Sequence, residues 1–399
     1  MGSFGLGVTS FYLNFLYRAL GFDGLALGAL VGAQALGVAG GVGAARYVAP
    51  GRSRRLVIIG GGAIVGVGIA GILTQSAFAL LAVAAALVGM GGIIASSSGL
   101  ALLADATEAR ARSSRFGQQI ALGTMAAFAA SVIAGALAQP VAAYFGARES
   151  DALTLRALVA LGGIAGAASA IPILFIRDVA VPRGGVQHAG RLLRRFIAIE
   201  FVFGLGAGAF VPFTNLFFAD RFHLAFGAIG FALGTIAVGG SGGALLHGRL
   251  VASRLGQVRG VVAVELASIP FALAAVFSGE VIVAVLLLAA RAALMYGAQA
   301  TWSAYTLSSF APAERAAVNA TLALAWSIAA AISASVSGAI RGAMGPDGFT
   351  INVLTLALCY AAGASLVFTL FRGRHPQGDT ADGPRAIARE YSHAPDPRA

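Results

Sequence analysis

The chain has 399 residues, of which 58% are hydrophobic and 11% are charged. Soluble domains carry about 25% charged residues, so the composition excludes an ordinary soluble domain and predicts an all-α integral membrane protein. The net charge of +11 comes from arginines spread over short connections and not from one basic face, so we expect no nucleic-acid partner.

Residue usage also excludes several kinds of active site. All 27 basic residues are arginine, whereas a P-loop needs a lysine for the phosphates. Cys359 is the single cysteine and the five histidines form no HExxH pattern, so we expect no metal and no cofactor. No nucleophile–base pattern is visible, which argues against an enzyme. The start, MGSFGLG, lacks a basic region and predicts no cleavable signal peptide.

Twelve apolar segments follow one another along the chain, most of them near the ~20 residues that span a bilayer as a helix. They cover residues 4–20, 25–45, 56–74, 77–104, 117–145, 157–176, 196–219, 226–248, 259–278, 281–305, 317–340 and 350–371. The one long connection, 177–195, is basic and separates two groups of six. We therefore expect an N-terminal six-helix bundle over 1–176, a cytoplasmic linker over 177–195, a C-terminal six-helix bundle over 196–371 and a disordered cytoplasmic tail over 372–399.

The arginines predict the orientation of these segments. The even-numbered connections and the tail hold 21 arginines, the opposite side holds 5, and Arg291 lies inside segment ten. Connections rich in arginine stay in the cytoplasm. We expect a multi-pass protein of the cell (inner) membrane with both termini cytoplasmic.

The two groups of segments resemble each other. The tetrapeptide FGLG occurs at 4–7 and at 203–206, and Asn14 corresponds to Asn215 with an offset of 201 residues. By this correspondence segment one is a turn or two shorter than segment seven. The shared offset predicts a repeat of six and six helices.

Several stretches resemble one transporter family. The loops GAARYVAPGRSRR (43–55) and GRLVASRLGQVR (248–259) are similar to a family loop that reads Gly, three residues, Asp-Arg, one residue, Gly-Arg, although both lack the Asp. The loops 101–117 and 310–326, and VPFTNLFFADRF in segment seven, are also similar to family sequences. The chain resembles a prokaryotic member of the major facilitator superfamily over residues 4–371.

This resemblance implies two six-helix bundles related by pseudo-two-fold symmetry. It also implies conformational roles for five loop residues, which are Gly43, Arg46, Arg54, Arg254 and Gly256.

Segment five contains GALAQPVAAY (135–144), which is similar to a pattern of the family's antiporters. Gly135 and Pro140 match that pattern, while three other positions lack its glycines. The match implies a drug/proton antiporter-like efflux protein. The alternative is that Pro140 only kinks a packed helix.

Four charged residues fall inside the predicted spans: Arg18, Glu200, Glu265 and Arg291. A charge at the bilayer centre costs at least ~2.5–3.5 kcal/mol, so such residues usually face a protein interior and have a function. We expect Arg18, near the end of segment one, to extend to surface water. Because the resemblance places segments seven and ten at the central cavity, Glu200 and Arg291 become candidates for substrate binding or proton coupling.

Further candidates lie on the same predicted helix faces. In segment ten Gln299 and Trp302 follow Arg291 at helical spacing, in segment seven Asn215 follows Glu200, and Asn14 is its counterpart in segment one. Arg291 either binds an anionic substrate group or Glu200, or it forms a structural pair with Glu265 or with helix-end carbonyls. Glu200 either carries a coupled proton or pairs at the surface with Arg194 or Arg195.

Together these features predict a monomeric secondary active transporter that moves a small organic solute by alternating access, with proton-coupled export as the first expectation. Its partners would be the small-molecule substrate, protons and the lipid bilayer. One alternative is an uptake symporter or facilitator for a small organic anion. Another is a non-transporting membrane scaffold or sensor.

Overall fold

The computed structural model describes residues 2–48, 51–105, 112–168, 171–175, 190–247, 250–251, 253–310 and 315–373. Most of the predicted linker and residues 374–399 of the predicted tail lie outside this part of the chain.

Within the described residues fourteen α-helices follow one another. They are α1 (Gly2–Ala19), α2 (Gly24–Val48), α3 (Arg54–Thr74), α4 (Phe78–Asp105), α5 (Arg112–Phe145), α6 (Ala152–Ala168), α7 (Arg191–Phe210), α8 (Thr214–Phe222), α9 (Phe226–His247), α10 (Ser253–Leu255), α11 (Gln257–Phe277), α12 (Val281–Ser308), α13 (Arg315–Met344) and α14 (Gly348–Phe371). Short 3₁₀ turns cover Pro172–Phe175, Val211–Phe213 and Gly345–Asp347.

These helices are apolar enough for a membrane. Ten stretches of the described chain have the length and hydropathy to cross a bilayer. The helix α1 is not among the ten, and the last stretch, Val318–Phe371, covers most of α13 and all of α14. The structure therefore agrees with the predicted all-α membrane fold, while the number of twelve crossings stays a prediction.

The seventh predicted segment differs most from the structure. The helix α7 begins at Arg191, five residues before the predicted start, so Arg194 and Arg195 are helical. After Phe210 the α-helix gives way to one 3₁₀ turn and then continues as α8. Pro212 explains the interruption because proline lacks the backbone N–H that an α-helix requires.

The helical bundle has two ends, which are named by an arginine that lies at each. The end at which α1 and α8 finish and α2 and α9 begin is called the Arg18 end. The opposite end, at which α3 begins, is called the Arg54 end. Near the Arg18 end α2 packs on α13, and α5 packs on α9.

Glycines allow these two crossings to be close. A Cβ atom at Gly24 would lie 2.4 Å from the backbone nitrogen of Gly342 on α13, and a Cβ atom at Gly135 would lie 2.5 Å from the carbonyl oxygen of Phe226 on α9. Small residues bring membrane helices into backbone contact in this way. Further along α2, toward the Arg54 end, a Cβ atom at Gly40 or Gly43 would meet no described atom within 4 Å. The helices of the two chain halves are therefore packed tightly near the Arg18 end.

Candidate functional site

Two asparagines connect α1 to α8. The side-chain nitrogen of Asn14 donates to the side-chain oxygen of Asn215 at 2.9 Å and to the carbonyl oxygen of Pro212 at 2.8 Å. The side-chain nitrogen of Asn215 in turn donates to the carbonyl oxygen of Phe11 at 3.0 Å. Both asparagines are buried. Buried amides that satisfy each other in this way hold two helices in one register.

The break between α7 and α8 makes this contact possible. In a continuous helix the carbonyl of Pro212 would accept from the N–H of Leu216. Here the N–H of Leu216 donates to the side-chain oxygen of Asn215 at 2.9 Å. The carbonyl of Pro212 is then available to Asn14, so the proline in the sequence leads to the contact between the helices.

An ion pair lies one turn further toward the Arg18 end. The guanidinium of Arg18 donates to both carboxylate oxygens of Asp220, at 2.5 Å and 2.7 Å. The side chains are 43% and 22% exposed, so Arg18 reaches the surface as expected but also binds a partner 202 residues away. We call Asn14, Asn215, Arg18 and Asp220 the clasp.

A third charge lies near the clasp. Arg341 on α13 is buried, and its guanidinium carbon lies 4.1 Å from the ring centroid of Phe213. Arg341 is attracted by Asp220 and repelled by Arg18. A cavity of about 900 Å³ opens beside the ion pair, and Gln139 and Arg148 contribute to its lining. The Arg18 end thus combines a closed contact between helices with a charged surface depression.

Glu200 lies next to Trp302, a contact that the sequence did not indicate although both residues are candidates. The indole N–H of Trp302 donates to a carboxylate oxygen of Glu200 at 3.0 Å. Trp302 is 6% exposed and its ring stacks on Tyr305 with the centroids 5.7 Å apart. The structure brings these two candidates from α7 and α12 together.

The expected surface pairing of Glu200 is not found. Among the described residues, the ion pair with N–O contact within 4 Å is Arg18–Asp220, and Glu200 pairs with neither Arg194 nor Arg195. These arginines lie five and six residues before Glu200, whereas helical neighbours face each other at three or four residues. Because α7 begins at Arg191, Glu200 also lies about 13 Å into the helix at 1.5 Å per residue.

Arg291 is buried on α12, and no described residue forms an ion pair with it. It is 8% exposed, and its guanidinium carbon lies 5.5 Å from the ring centroid of Tyr360 on α14. Its Nε and Nη2 atoms have no hydrogen-bond partner among the described residues, and neither does the Oε2 atom of Glu265. Glu265 is 5% exposed and is attracted electrostatically by Arg291. The direct Arg291–Glu265 pair expected as the structural alternative is therefore not formed, because neither carboxylate oxygen of Glu265 comes within 4 Å of a guanidinium nitrogen of Arg291.

The candidate positions on the predicted polar face of α12 differ in how far they are buried. Gln299 is exposed, Trp302 is buried, and Met295 between Arg291 and Gln299 is half-buried. These four positions therefore do not form one uniformly buried polar face.

The loop residues implied by the family resemblance lie at the Arg54 end. Arg54 is buried at the start of α3, Arg254 is exposed, and the side chain of Arg46 lies outside the described residues. Gly256 precedes α11 with φ of +78°, a left-handed conformation that glycine adopts without strain. Gly43 is half-buried in α2.

The two residues of the segment-five motif have different surroundings. Gly135 is buried at the α5–α9 crossing, while Pro140 lies inside α5 and is exposed. Gly135 therefore lies at a contact between helices of the two chain halves, and Pro140 does not.

Three residues at these sites were not singled out from the sequence. They are Asp220, the partner of Arg18; Tyr360, the aromatic ring against Arg291; and His247, whose Nδ1 lies 2.8 Å from the hydroxyl of Thr301. Only Asp220 could have been found from the sequence. It follows Arg18 by 202 residues, and this separation is close to the 201 residues between Asn14 and Asn215.

Comparison with known proteins identifies the class to which this arrangement belongs. The family model of the Major Facilitator Superfamily matches residues 1–334, and the chain belongs to that family. A comparison with curated proteins gave no match.

Solved structures show the same fold. A mutant of the nucleoside transporter NupG has 14% sequence identity and a TM-score of 0.66, with 93% of this chain and 100% of that chain covered. A bacterial homologue of the iron transporter ferroportin in an inward-facing state has 13% identity and a TM-score of 0.67, covering 92% and 95%. A mutant of the E. coli fucose:proton symporter FucP has 15% identity and a TM-score of 0.61, covering 92% and 95%.

At these identities the structures establish the fold alone. Together with the family match they confirm the predicted major facilitator fold. The chain is a multi-pass membrane transporter and not an enzyme.

Proposed function

We propose that this transporter exports a small organic solute in exchange for protons, by alternating access between the two halves of the chain. The observation that carries the proposal is the hydrogen bond from Trp302 to Glu200. It places a carboxylate deep in an apolar helix against a neutral donor. Such a carboxylate takes up a proton without breaking an ion pair, and membrane-embedded carboxylates commonly serve proton transfer.

The contacts between the halves support alternating access. The clasp and the two glycine crossings join the halves near the Arg18 end, while Gly40 and Gly43 face open space toward the Arg54 end. The arginine count favours an extracytoplasmic position for the Arg18 end. The structure would then correspond to a state closed to the outside, and transport requires that the clasp opens.

The orientation has its own test. Reporter fusions after Arg183 and after Arg372 should both report a cytoplasmic location. A periplasmic signal at either position would contradict the proposed placement of both termini in the cytoplasm.

Segment five supports export as the direction of transport. Gly135 lies where α5 contacts α9, and its match to the antiporter pattern favours export. Uptake of a small organic anion, by symport or facilitated diffusion, is the second candidate. The observation that favours it is that two buried guanidinium nitrogens of Arg291 have no hydrogen-bond partner among the described residues, and an anion is a ligand that would satisfy both.

Proton movement during solute exchange distinguishes these functions. The purified protein is first screened by thermal shift against organic anions and hydrophobic cations, because a bound ligand stabilises the folded state. A stabilising solute is then added outside proteoliposomes that contain a pH-sensitive dye. An exchanger moves protons out as solute enters, so the lumen becomes alkaline. A symporter acidifies the lumen, and a facilitator leaves its pH unchanged.

Glu200→Gln provides the matched variant. It should abolish the solute-driven pH change and leave exchange of labelled for unlabelled solute intact. A normal pH change in this variant would refute the proton-coupling role of Glu200. An acidic lumen with the unmodified protein would contradict export in exchange for protons and would indicate symport.

A further inference from the structure

An apolar groove runs along the outside of the helical bundle between α9 and α12. It has a volume of about 260 Å³, and its lining includes Phe231 of α9 and Ile282 of α12, which are 65% and 71% exposed. Thr235 also lines the groove, but its hydroxyl donates to the carbonyl of Phe231 in its own helix at 2.9 Å. The groove therefore offers apolar contacts that suit a hydrocarbon chain.

This groove meets the charged cavity of the Arg18 end at one residue. Leu224, which precedes α9, lines both the groove and the cavity of about 900 Å³ beside the ion pair of the clasp. Within α9, Ala228 and Phe231 line the groove, whereas Phe226 and Ile229 line the cavity, so the two depressions lie on different sides of the first turns of the helix. One molecule that fills both must be amphiphilic.

The charges of the cavity describe the polar part of such a molecule. Arg18, Asp220, Arg148 and Glu149 are its charged lining residues. Arg18 and Asp220 bind each other through two hydrogen bonds, whereas neither Arg148 nor Glu149 forms an ion pair with any described residue. The cavity thus presents one cation and one anion to a ligand, and its net charge is zero.

The connection between α5 and α6 holds these two side chains at the cavity. Gly146 follows the end of α5 with φ of +61°. The backbone N–H of Arg148 then donates to the carboxylate of Asp151 at 2.8 Å, and the N–H of Asp151 donates to the carbonyl of Arg148 at 3.1 Å. Asp151 therefore binds the backbone of Arg148 and leaves its guanidinium to the cavity.

We propose that the groove and the cavity together bind one zwitterionic phospholipid that carries a primary amine, from the leaflet that meets the Arg18 end. One acyl chain lies in the groove, and the headgroup passes Leu224 into the cavity. Arg148 binds the phosphate, because guanidinium and phosphate form strong charge-assisted hydrogen bonds. The ammonium donates to the carboxylate of Glu149, which a trimethylammonium group without N–H donors cannot do. This inference is independent of the proposed proton exchange.

Competition between headgroups tests the proposal. The purified protein is mixed with equal amounts of dioleoyl phosphatidylethanolamine, phosphatidylcholine and phosphatidylglycerol, and native mass spectrometry measures which lipid stays bound. The net charge of +11 by itself favours the anionic phosphatidylglycerol. Two charge-assisted contacts should instead favour phosphatidylethanolamine by about tenfold or more. Phosphatidylglycerol bound equally well or better would overturn the proposal.

Variants of the two free charges locate the headgroup. Arg148→Gln and Glu149→Gln should each remove most of the preference for phosphatidylethanolamine. Arg221→Gln changes an exposed arginine at the same end that does not line the cavity, and should leave the preference intact. A preference that survives both cavity substitutions would show that the headgroup binds elsewhere and would overturn the assignment.

The acyl chain has a separate test. Ala228→Trp fills the groove at an exposed position, and Leu358→Trp is the matched control, because Leu358 is 72% exposed on α14. Only Ala228→Trp should lower the bound phosphatidylethanolamine, and equal retention in the two variants would contradict a chain in the groove. Glycerophosphoethanolamine, which has the headgroup without chains, should raise the melting temperature less than the lipid does. An equal rise would indicate a soluble zwitterionic ligand in place of a lipid.

Discussion

Asn14 of α1 and Asn215 of α8 hydrogen-bond to each other at 2.9 Å although 201 residues separate them. They are matched positions of the repeat that the sequence predicts. Residues related by a two-fold operation contact each other only near its axis. The asparagine pair therefore marks where the halves of the chain meet, and the carbonyls of Phe11 and Pro212 complete its hydrogen bonds.

Removing the asparagine contact should loosen the Arg18 end. Asn14→Leu leaves the carbonyl of Pro212 without its donor, and an unsatisfied buried group costs about 1–3 kcal/mol. At 1.4 kcal/mol per factor of ten, the open population should rise about fivefold to a hundredfold. Spin labels at the exposed positions Ser150 and Glu280, in a Cys359→Ser background, would show a longer distance.

Thr214→Val is the matched control for this variant. The hydroxyl of Thr214 bonds to Val211 within its own segment at 2.9 Å, so this change should leave the distance distribution as it is. An unaltered distribution in Asn14→Leu would show that the asparagines do not hold the end closed.

The two partners of the ion pair should differ in importance. Asp220→Asn removes the carboxylate that attracts both Arg18 and Arg341. Arg18→Gln loses the same ion pair, but it relieves the repulsion between Arg18 and Arg341. Asp220→Asn should therefore lower the melting temperature more than Arg18→Gln does. Since Arg18 is 43% exposed, the effect of Arg18→Gln should shrink at 1 M salt. Equal losses, or a larger loss in Arg18→Gln, would contradict this assignment of Asp220.

The glycine at the α5–α9 crossing should tolerate no side chain. Gly135→Ala places a Cβ atom 2.5 Å from the carbonyl oxygen of Phe226, so backbone must move. Gly40→Ala is the control, because no described atom lies within 4 Å of its Cβ position. We expect Gly135→Ala to lower thermal stability and Gly40→Ala to leave it within about 0.5 kcal/mol. Equal melting temperatures for the two variants would show that the crossing is not close.

Arg291 should contribute more to ligand binding than to folding. Arg291→Ala removes a charge that has no direct carboxylate partner among the residues that the structure describes. We therefore expect a folded protein whose affinity for an anionic solute falls about tenfold to a hundredfold. Arg291→Lys keeps the charge but loses the planar face against Tyr360. Its affinity should lie between those of the unmodified protein and Arg291→Ala. The measurement is melting temperature and binding on the same samples. A destabilised Arg291→Ala that recovers stability and binding with Glu265→Gln would establish a structural pair instead.

Much of the fold could be predicted from the sequence because a bilayer imposes length and polarity on each crossing. Segment 226–248 was predicted and α9 covers Phe226–His247. The interruption of the helix after Phe210 was not predicted, although Pro212 is present in the sequence. Proline in a membrane helix is compatible with a kink as well as with a break.

The site was less accessible to sequence reasoning. The offset between Asn14 and Asn215 indicated that they correspond, but not that they touch, because a repeat gives symmetry and not the position of its axis. The charge of Arg291 was evident, yet its contact with Tyr360 depends on how α12 and α14 pack and on the side-chain rotamer. Arg18 and Asp220 lie on helices that only the fold brings together.

Alternating access is tested most directly by measuring distances at both ends of the same protein. One pair of spin labels, at Ser150 and Glu280, reports the Arg18 end, and a second pair, at the exposed positions Arg52 and Gln257, reports the Arg54 end. Introducing Asp220→Asn should lengthen the first distance and shorten the second in the same fraction of molecules. Lengthening at the Arg18 end with no change at the Arg54 end, or movement of both ends in the same direction, would contradict the account.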